Sequence, residues 1–371
     1  MFAAGMVHSS SHTGPTQRAI KKFRSNPMAM VGFFFVLFVI LISLLGPWIR
    51  PDNTQNANRQ NLSISGQKPG FSVDMIRVKN NLVPTSALQA WLDGGYVSNY
   101  EEISVAQATV QGDTVVVYTY EGQGRPSKKR SWPTMALVQN EVGGYTFHQT
   151  FVLGTDKYGR DLLSRLLAGT VISLAVGAIS VFISLLVGLT VGLMAGYFRG
   201  WTDKVLMWFT NVIWAVPTLL LVMAITFAFG TGFWKVFLAV GLTMWVEVAR
   251  IARGQVLSIR EKEFVEAARA LGFSEMRIVF KHILPSILSP IIVISAANFA
   301  SAILIEAGLS FLGLGAQIPT PSWGNMIREH YAFITTDMAY LAILPGILIM
   351  ALVLAFMLVG NGLRDALDVR D

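Results

Sequence analysis

Cysteine is absent from this chain. That excludes a disulfide framework, a thiolate nucleophile and any metal site built on cysteine sulfur. Charge is scarce as well: 14% of the residues are Asp, Glu, Lys or Arg, where a soluble domain carries about a quarter. No His-Glu-x-x-His, no Gly-x-Ser-x-Gly and no pair of aspartates within an apolar run occurs, so an intramembrane protease lacks its reacting groups. The glycine-rich stretch GLGAQIPTPSWG has no Gly-Lys-Ser/Thr ending and is not a phosphate cradle. His148, His282 and His330 fall on different segments, so no metal site is expected. The net charge of +7 is not accompanied by basic clusters interleaved with aromatics, and no nucleic acid partner is expected.

Apolar residues dominate instead, at 53% with a mean hydropathy of +0.52. A hydrocarbon core of ~30 Å needs about 20 apolar residues in helical form. The run at 28–49 meets this. It is too long for the core of a signal peptide, and no small-residue cleavage site follows, so it reads as a retained anchor. The uncharged run at 166–198 reads as one long helix whose first end projects from the membrane. Further spans are expected at 205–229, kinked at Pro217, and at 233–252, 286–309 and 340–363. The expected fold is therefore an all-α polytopic membrane protein with six transmembrane helices, lipid around it and a core unit at 151–363.

Six spans put both termini on one side. On that side Lys and Arg number four in the tail 1–27, two in RGWTDK, seven between Arg250 and Lys281 and two in the tail 364–371. The two short loops opposite hold one each, Lys235 and Arg328. The positive-inside bias places both termini in the cytoplasm of a bacterial inner membrane. The loop after the first span, 50–150, then lies outside. VAQATVQGDTVVVYTYEG reads as two strands around a Gly-Asp turn, and TSALQAWLDGG as a short helix ending in glycine. A small α+β extracytoplasmic domain, inserted between spans 1 and 2, is expected there. GQGRPSKKRSWP within it reads as a solvated basic loop.

One charged stretch interrupts the apolar half. EAARALGFSEMRIVFKHILP occupies 266–285 within a loop at 257–285. A helix over 261–271 gathers Phe264, Val265, Ala267, Ala268 and Leu271 on one side. Gly272 stands where a helix ends in a left-handed residue. Ser274 can cap a second short helix carrying Met276, and Pro285 opens the next span. The result is helix, sharp turn, helix, lying in the cytoplasm. A bland alternative is a linker helix resting on headgroups.

The spacing of Glu266, Ala267, Ala268, Gly272, Leu284 and Pro285 resembles the loop that couples permease subunits of ATP-binding-cassette importers to their ATPases. The stretch LGTDKYGRDLLSRLLAGTVISL (153–174) resembles the signature before the second span in C-type permeases of the dipeptide, oligopeptide and nickel branch. EAGLSFLGLGAQIPTPSWGNMI (306–327) resembles their signature after the fifth, and the Asp368, Val369, Arg370 ending is similar to theirs. The general pattern has isoleucine where this chain has His282, and the HILP form is similar to that branch. The resemblance implies a transmembrane subunit that performs no catalysis and binds no cofactor, with ATP and Mg on partner subunits. It implies a B-type permease as heterodimer partner, two cytoplasmic ATPases and an extracytoplasmic solute-binding protein. Peptides are the implied cargo, with nickel chelates, glutathione-like solutes or small glycosides as alternatives. It assigns ATPase coupling to Glu266, Ala267, Ala268, Leu271, Gly272, Phe273, Ser274, Met276, Leu284 and Pro285.

Glu306 is expected as the only acid well inside a span, either lining the pathway or holding the turn that follows it. Glu247, Arg250 and Arg253 are expected near the cytoplasmic end of the fourth span, as a local ion pair. Asp156, Arg160 and Asp161 read as a capping and ion-pair cluster before the second span. A secondary transporter would need coupling-ion groups near the midplane and usually an inverted repeat, and no repeat of the spans is visible.

Overall fold

The computed structural model describes residues 15–83, 85–122, 124–230 and 232–367. The first half of the basic tail, Thr231 of the Gly-Thr-Gly turn and the Asp368, Val369, Arg370 ending lie outside the described residues. A short helix, α1 (Pro15–Ser25), precedes α2 (Pro27–Ile49). Asn26 caps α2 by accepting from the Ala29 amide at 3.1 Å, and Pro27 follows at the first turn, where its missing N–H costs nothing.

The polar segment after α2 folds around one sheet. Its elements are β1 (Phe71–Lys79), α3 (Ala87–Leu92), β2 (Tyr100–Gln111), β3 (Thr114–Thr119), β4 (Lys129–Pro133) and β5 (Thr146–Phe151). The order is β4-β3-β2-β1-β5, with every neighbouring pair antiparallel. The hairpin of β2 and β3 turns at Gly112, where φ is +59°, and α3 is capped by Ser86. Alternation buries Ile76, Val105, Val115 and Val117 beneath Leu137. Three strands are additional to the sequence reading. One of them, β4, occupies the second half of the stretch expected to be a basic loop, pairing Trp132 with Val115 at the sheet edge.

The remaining elements are α4 (Leu162–Phe198), α5 (Gly200–Trp214), α6 (Thr218–Phe229), α7 (Phe233–Ile259), α8 (Glu263–Ala270), α9 (Glu275–Ile278), α10 (Leu284–Phe311), α11 (Trp323–His330) and α12 (Tyr340–Leu367). Among the described residues, four helical stretches are long and apolar enough to cross a membrane: Pro27–Ile49, Leu162–Phe198, Glu275–Phe311 and Tyr340–Leu367. A fifth is available only if α5 and α6 count as one span. They are bent by 91° at the break before Pro217, far beyond the expected kink. Proline clashes with the preceding turn and has no N–H to continue the ladder, so the helix stops there. Helix α7 is long enough, but every 18-residue stretch of it holds three charged residues, and it falls outside that set.

Helix α4 is the axis of the molecule. Its 37 residues reach roughly 55 Å at ~1.5 Å each. Gly188, Gly192 and Gly196 form a stripe against α7, and a Cβ on Gly192 would stand 2.6 Å from the Ala249 carbonyl and 2.6 Å from the Ala252 Cβ. Small residues at four-residue spacing bring the backbones together, as membrane helix pairs require.

The segment between α2 and the sheet is tied to the starts of α4 and α12. The Asp52 amide donates to Ser164 Oγ at 2.8 Å, and Tyr340 Oη donates to the Gln67 carbonyl at 3.0 Å. Trp91 Nε1 donates to the Leu44 carbonyl at 2.9 Å, pinning α3 to the last turns of α2.

Candidate functional site

The charged loop leaves α7 at Ile259 and folds beside the other end of α4. Helix α8 ends at Gly272, whose φ of +75° reverses the chain with open space around its Cα. Ser274 stands at the cap position of α9 but makes no side-chain cap bond, contrary to the expectation. Its neighbour Glu275 instead accepts a short hydrogen bond from Tyr197 Oη, in the last turn of α4. A five-residue π-helical turn, Val279–Ile283, joins α9 to α10 without a break. Pro285 sits in the first turn of α10, where no backbone donor is needed.

The face read from periodicity splits in two. Val265 and Ala268 are buried, in one core with Ile278, Val279, Ile283 and Ile287, and with Val256 of α7 and Leu193 of α4. Phe264, Ala267 and Leu271 point the other way and are exposed, Leu271 at 72%. Met276 is exposed at 61%, beside exposed Glu266, Gly272 and Ser274. Phe273 and Leu284 are half-buried: the Phe273 ring stacks on His282 at 5.9 Å and carries the Arg277 guanidinium at 4.0 Å. Exposed apolar side chains thus stand at the turn of a charged loop.

Arg199, just past α4, donates to Glu261 at 2.5 Å. That hydrogen bond holds the Glu261 carboxyl below the ordinary carboxylate range. Neither this bond nor that between Tyr197 and Glu275 was visible in the sequence, because their partners lie 62 and 78 positions apart.

At the sheet end, the two long motifs interlock. Asp161 caps α4 through the Ser164 amide at 2.9 Å, and burial raises its carboxyl above the usual range. Trp323 Nε1 donates to the Leu166 carbonyl at 3.0 Å, and Gly169 leaves room for that indole. Arg160 pairs with Asp156 at 2.5 Å and Glu329 at 2.6 Å, with all three side chains at most 6% exposed. The fold brings His330 to this cluster: Asp156, Glu329 and His330 offer ligand atoms within 4.8 Å of one another. Arg160 already holds both carboxylates, which makes the cluster an ion-pair knot between the start of α4 and α11. Arg160→Ala removes the guanidinium that pairs both buried carboxylates and leaves only the more distant charge of Arg165, at a cost of about 3–5 kcal/mol. The expected result is a markedly lower melting temperature in detergent; Arg160→Lys, which keeps the charge but cannot span both acids, falls between.

Glu306 is buried in α10, and Ser310 Oγ donates to its Oε1 at 2.6 Å. Ser322 Oγ donates to Ser310 at 3.2 Å and caps α11. Glu306 is thus joined to the start of α11 through two hydrogen bonds, with Ser310 between. Glu247 is not near the end of its helix. Helix α7 runs on to Ile259, so Glu247 is at mid-helix, and Arg253 pairs with Asp203 at 2.5 Å instead.

A bundle of long apolar helices, with a charged helix-turn-helix at one end and an interlocked polar knot at the other, defines a multi-pass membrane protein. The chain belongs to the family of binding-protein-dependent transport system inner membrane components, whose model matches residues 188–370. Residues 14–69 match the N-terminal TM domain of oligopeptide transport permease C. Among curated relatives, the glutathione transport system permease protein GsiD of Escherichia coli O6:K15:H31 is 44% identical over 218 residues, 58% of this chain and 71% of the relative. The GsiD protein of Shigella boydii serotype 4 matches to the same extent. Among solved structures, a chain of the inward-facing MetNI methionine ABC transporter is similar with a TM-score of 0.48 and 20% identity, over 56% of this chain and 97% of that one. This chain is an importer permease subunit of the inner membrane, and its family is one of transporters and not of catalysts.

Proposed function

We propose that this chain is one of two permease subunits of an ATP-driven importer of peptides or peptide-like solutes, with glutathione among the candidates its relatives suggest. The observation that carries the coupling assignment is the exposed apolar tip of the loop, Leu271 with Ala267, mounted on a core shared by α4, α7 and α10. A partner ATPase pressing on that tip moves α10 through the unbroken link from α9, and α4 through Tyr197. Such docking fits a helix-in-groove mode with few apolar anchors. Two cytoplasmic ATPases carrying ATP and Mg, a B-type permease and an external solute-binding protein complete the assembly. Glu306 serves to hold the turn into α11.

The reading uses six spans: α2, α4, the bent pair α5 and α6, α7, α10 and α12. Helix α7 crosses because it lies against α4 along the glycine stripe and shares its slab. The sheet and the coupling loop sit at opposite ends of α4, which supports an external sheet (within 50–150) and cytoplasmic termini. A reporter active only outside the cytoplasm is expected to be active when fused after Gly124 and silent after Gly272. The opposite pattern overturns the orientation.

Affinity purification of the tagged chain from native membranes tests the function. The expected result is recovery of an ATP-hydrolysing protein and a second permease in stoichiometric amounts. A chain that purifies alone, yet still supports uptake, speaks for a secondary transporter.

A further inference from the structure

The break between α5 and α6 opens a groove of about 270 Å³ on the side of the bundle, in which Trp214, Thr218, Glu247 and Ser301 are exposed. Trp214 and Thr218 line it from the two sides of the break, Thr243 and Glu247 from α7, and Ser301 from α10. Its volume lies near the lower end for small-molecule sites. Four of its eleven lining residues, Thr218, Thr243, Glu247 and Ser301, carry polar side chains, and the other seven are apolar.

Glu247 is the acid of this cavity. It lies twelve residues, about 18 Å, from the last residue of α7. A carboxylate at that depth is costly unless it faces a cavity or a counter-charge. The neighbouring cations are committed elsewhere. Arg250 donates to Asn211 Oδ1 at 2.6 Å and lies 3.8 Å over the Trp214 ring, and Arg253 is paired with Asp203. Glu247 has neither a hydrogen bond nor an ion pair among the described residues.

The lining selects the class of ligand. Thr243 Oγ1 donates its proton to the Val240 carbonyl at 2.8 Å, which leaves its lone pairs as acceptors. The cavity therefore offers one negative charge with hydroxyl oxygens. A divalent cation asks for several oxygen ligands and more charge. The one three-residue cluster fit for metal among the described residues lies elsewhere, at Asp156. A primary ammonium group brings one positive charge and three donors, which this set matches.

We propose that the Glu247 cavity is a binding site for the protonated amino group of the cargo, at mid-membrane in the pathway. This rests on the importer reading above. A neutral or anionic head entering the same cavity leaves the carboxylate unpaired, so the site discriminates by charge.

The natural absence of cysteine permits a direct test. Ser301→Cys places a single thiol in the cavity of the intact complex, in membrane vesicles. Its rates of reaction with a cationic and an anionic methanethiosulfonate reagent are measured with Glu247 present and after Glu247→Gln. The cation-to-anion rate ratio is expected to fall at least about tenfold on loss of the carboxylate, since a unit charge a few ångströms away in a medium of effective dielectric about 20 attracts one reagent and repels the other. Alanyl-alanine is expected to slow labelling when Glu247 is present and not after Glu247→Gln, and N-acetyl-alanyl-alanine to slow neither. A ratio unchanged by Glu247→Gln, or a thiol that no reagent reaches because a partner covers it, overturns the site. Equal protection by the two dipeptides overturns the amine assignment. ATPase recovery is scored on the same vesicles: its absence alongside an intact charge preference counts against the importer reading and not against the cavity.

Discussion

Leu271→Asp is expected to leave the chain in the membrane at normal abundance and to abolish ATPase recovery and uptake together. Leu271 closes α8, is 72% exposed and packs on nothing in its own chain that an aspartate would disturb. Its loss is felt only where a partner buries it. An apolar anchor at the centre of such an interface is worth ~2 kcal/mol or more, about thirtyfold in affinity, and a buried aspartate adds a desolvation cost. Gly272→Val acts by a second route: its Cβ meets open space, but φ of +75° is strained for a β-branched residue, so the turn itself changes. Ala267→Trp, on the exposed side, blocks docking sterically. Ala268→Trp does not report on docking, because Ala268 is 4% exposed within the core and a larger side chain disrupts the loop from inside. The measurement is ATPase pull-down and substrate uptake for Leu271→Asp at matched membrane abundance. Wild-type values for both would falsify the coupling role of the tip and favour a helix resting on lipid.

The second large effect is on the fold itself. Gly192→Leu is expected to remove most of the folded protein from the membrane. The side chain meets the backbone carbonyl of Ala249 and the Cβ of Ala252, each at 2.6 Å, and neither can rotate away. Overpacking of a core costs typically 1–3 kcal/mol when side chains can yield. Here α4 and α7 must separate, and the contacts at Gly188 and Gly196 go with them. Gly254→Leu on α7 is the control: nothing lies within 4 Å of its position, and helix propensity favours the change. Detergent melting curves and membrane abundance read both. Equal stability of the two variants would show that the close approach of α4 and α7 is not required.

Several features were legible because their causes are local. Apolar runs of sufficient length announced α2, α4, α10 and α12, and absent residue types removed whole classes of chemistry. The Gly-Asp turn between β2 and β3, the glycine ending α8 and the spacing of Glu266, Ala267, Ala268 and Gly272 are short-range patterns. Linear periodicity also led to specific errors. It placed Ala267 and Ala268 on one face, since both suit an apolar side, but only the packing of α8 on α4, α7 and α10 decides which is buried. It ended the fourth span at Ala252, because Arg250 and Arg253 look like a membrane boundary. In the structure Arg253 finds Asp203 and Arg250 finds Asn211, so the helix continues and Glu247 is carried to mid-helix. It treated the motifs at 153–174 and 306–327 as separate signatures, although Trp323 against Leu166, and Arg160 against Glu329 two residues past the second motif, make them one joint. The sequence by itself determined membrane residence, family resemblance and the location of the charged loop, through composition and short-range spacing. The tertiary structure alone decided which loop residues protrude, where Glu247 lies and what the buried charges pair with. Burial and ion pairing depend on distances between segments far apart in the chain, and no local pattern encodes those distances.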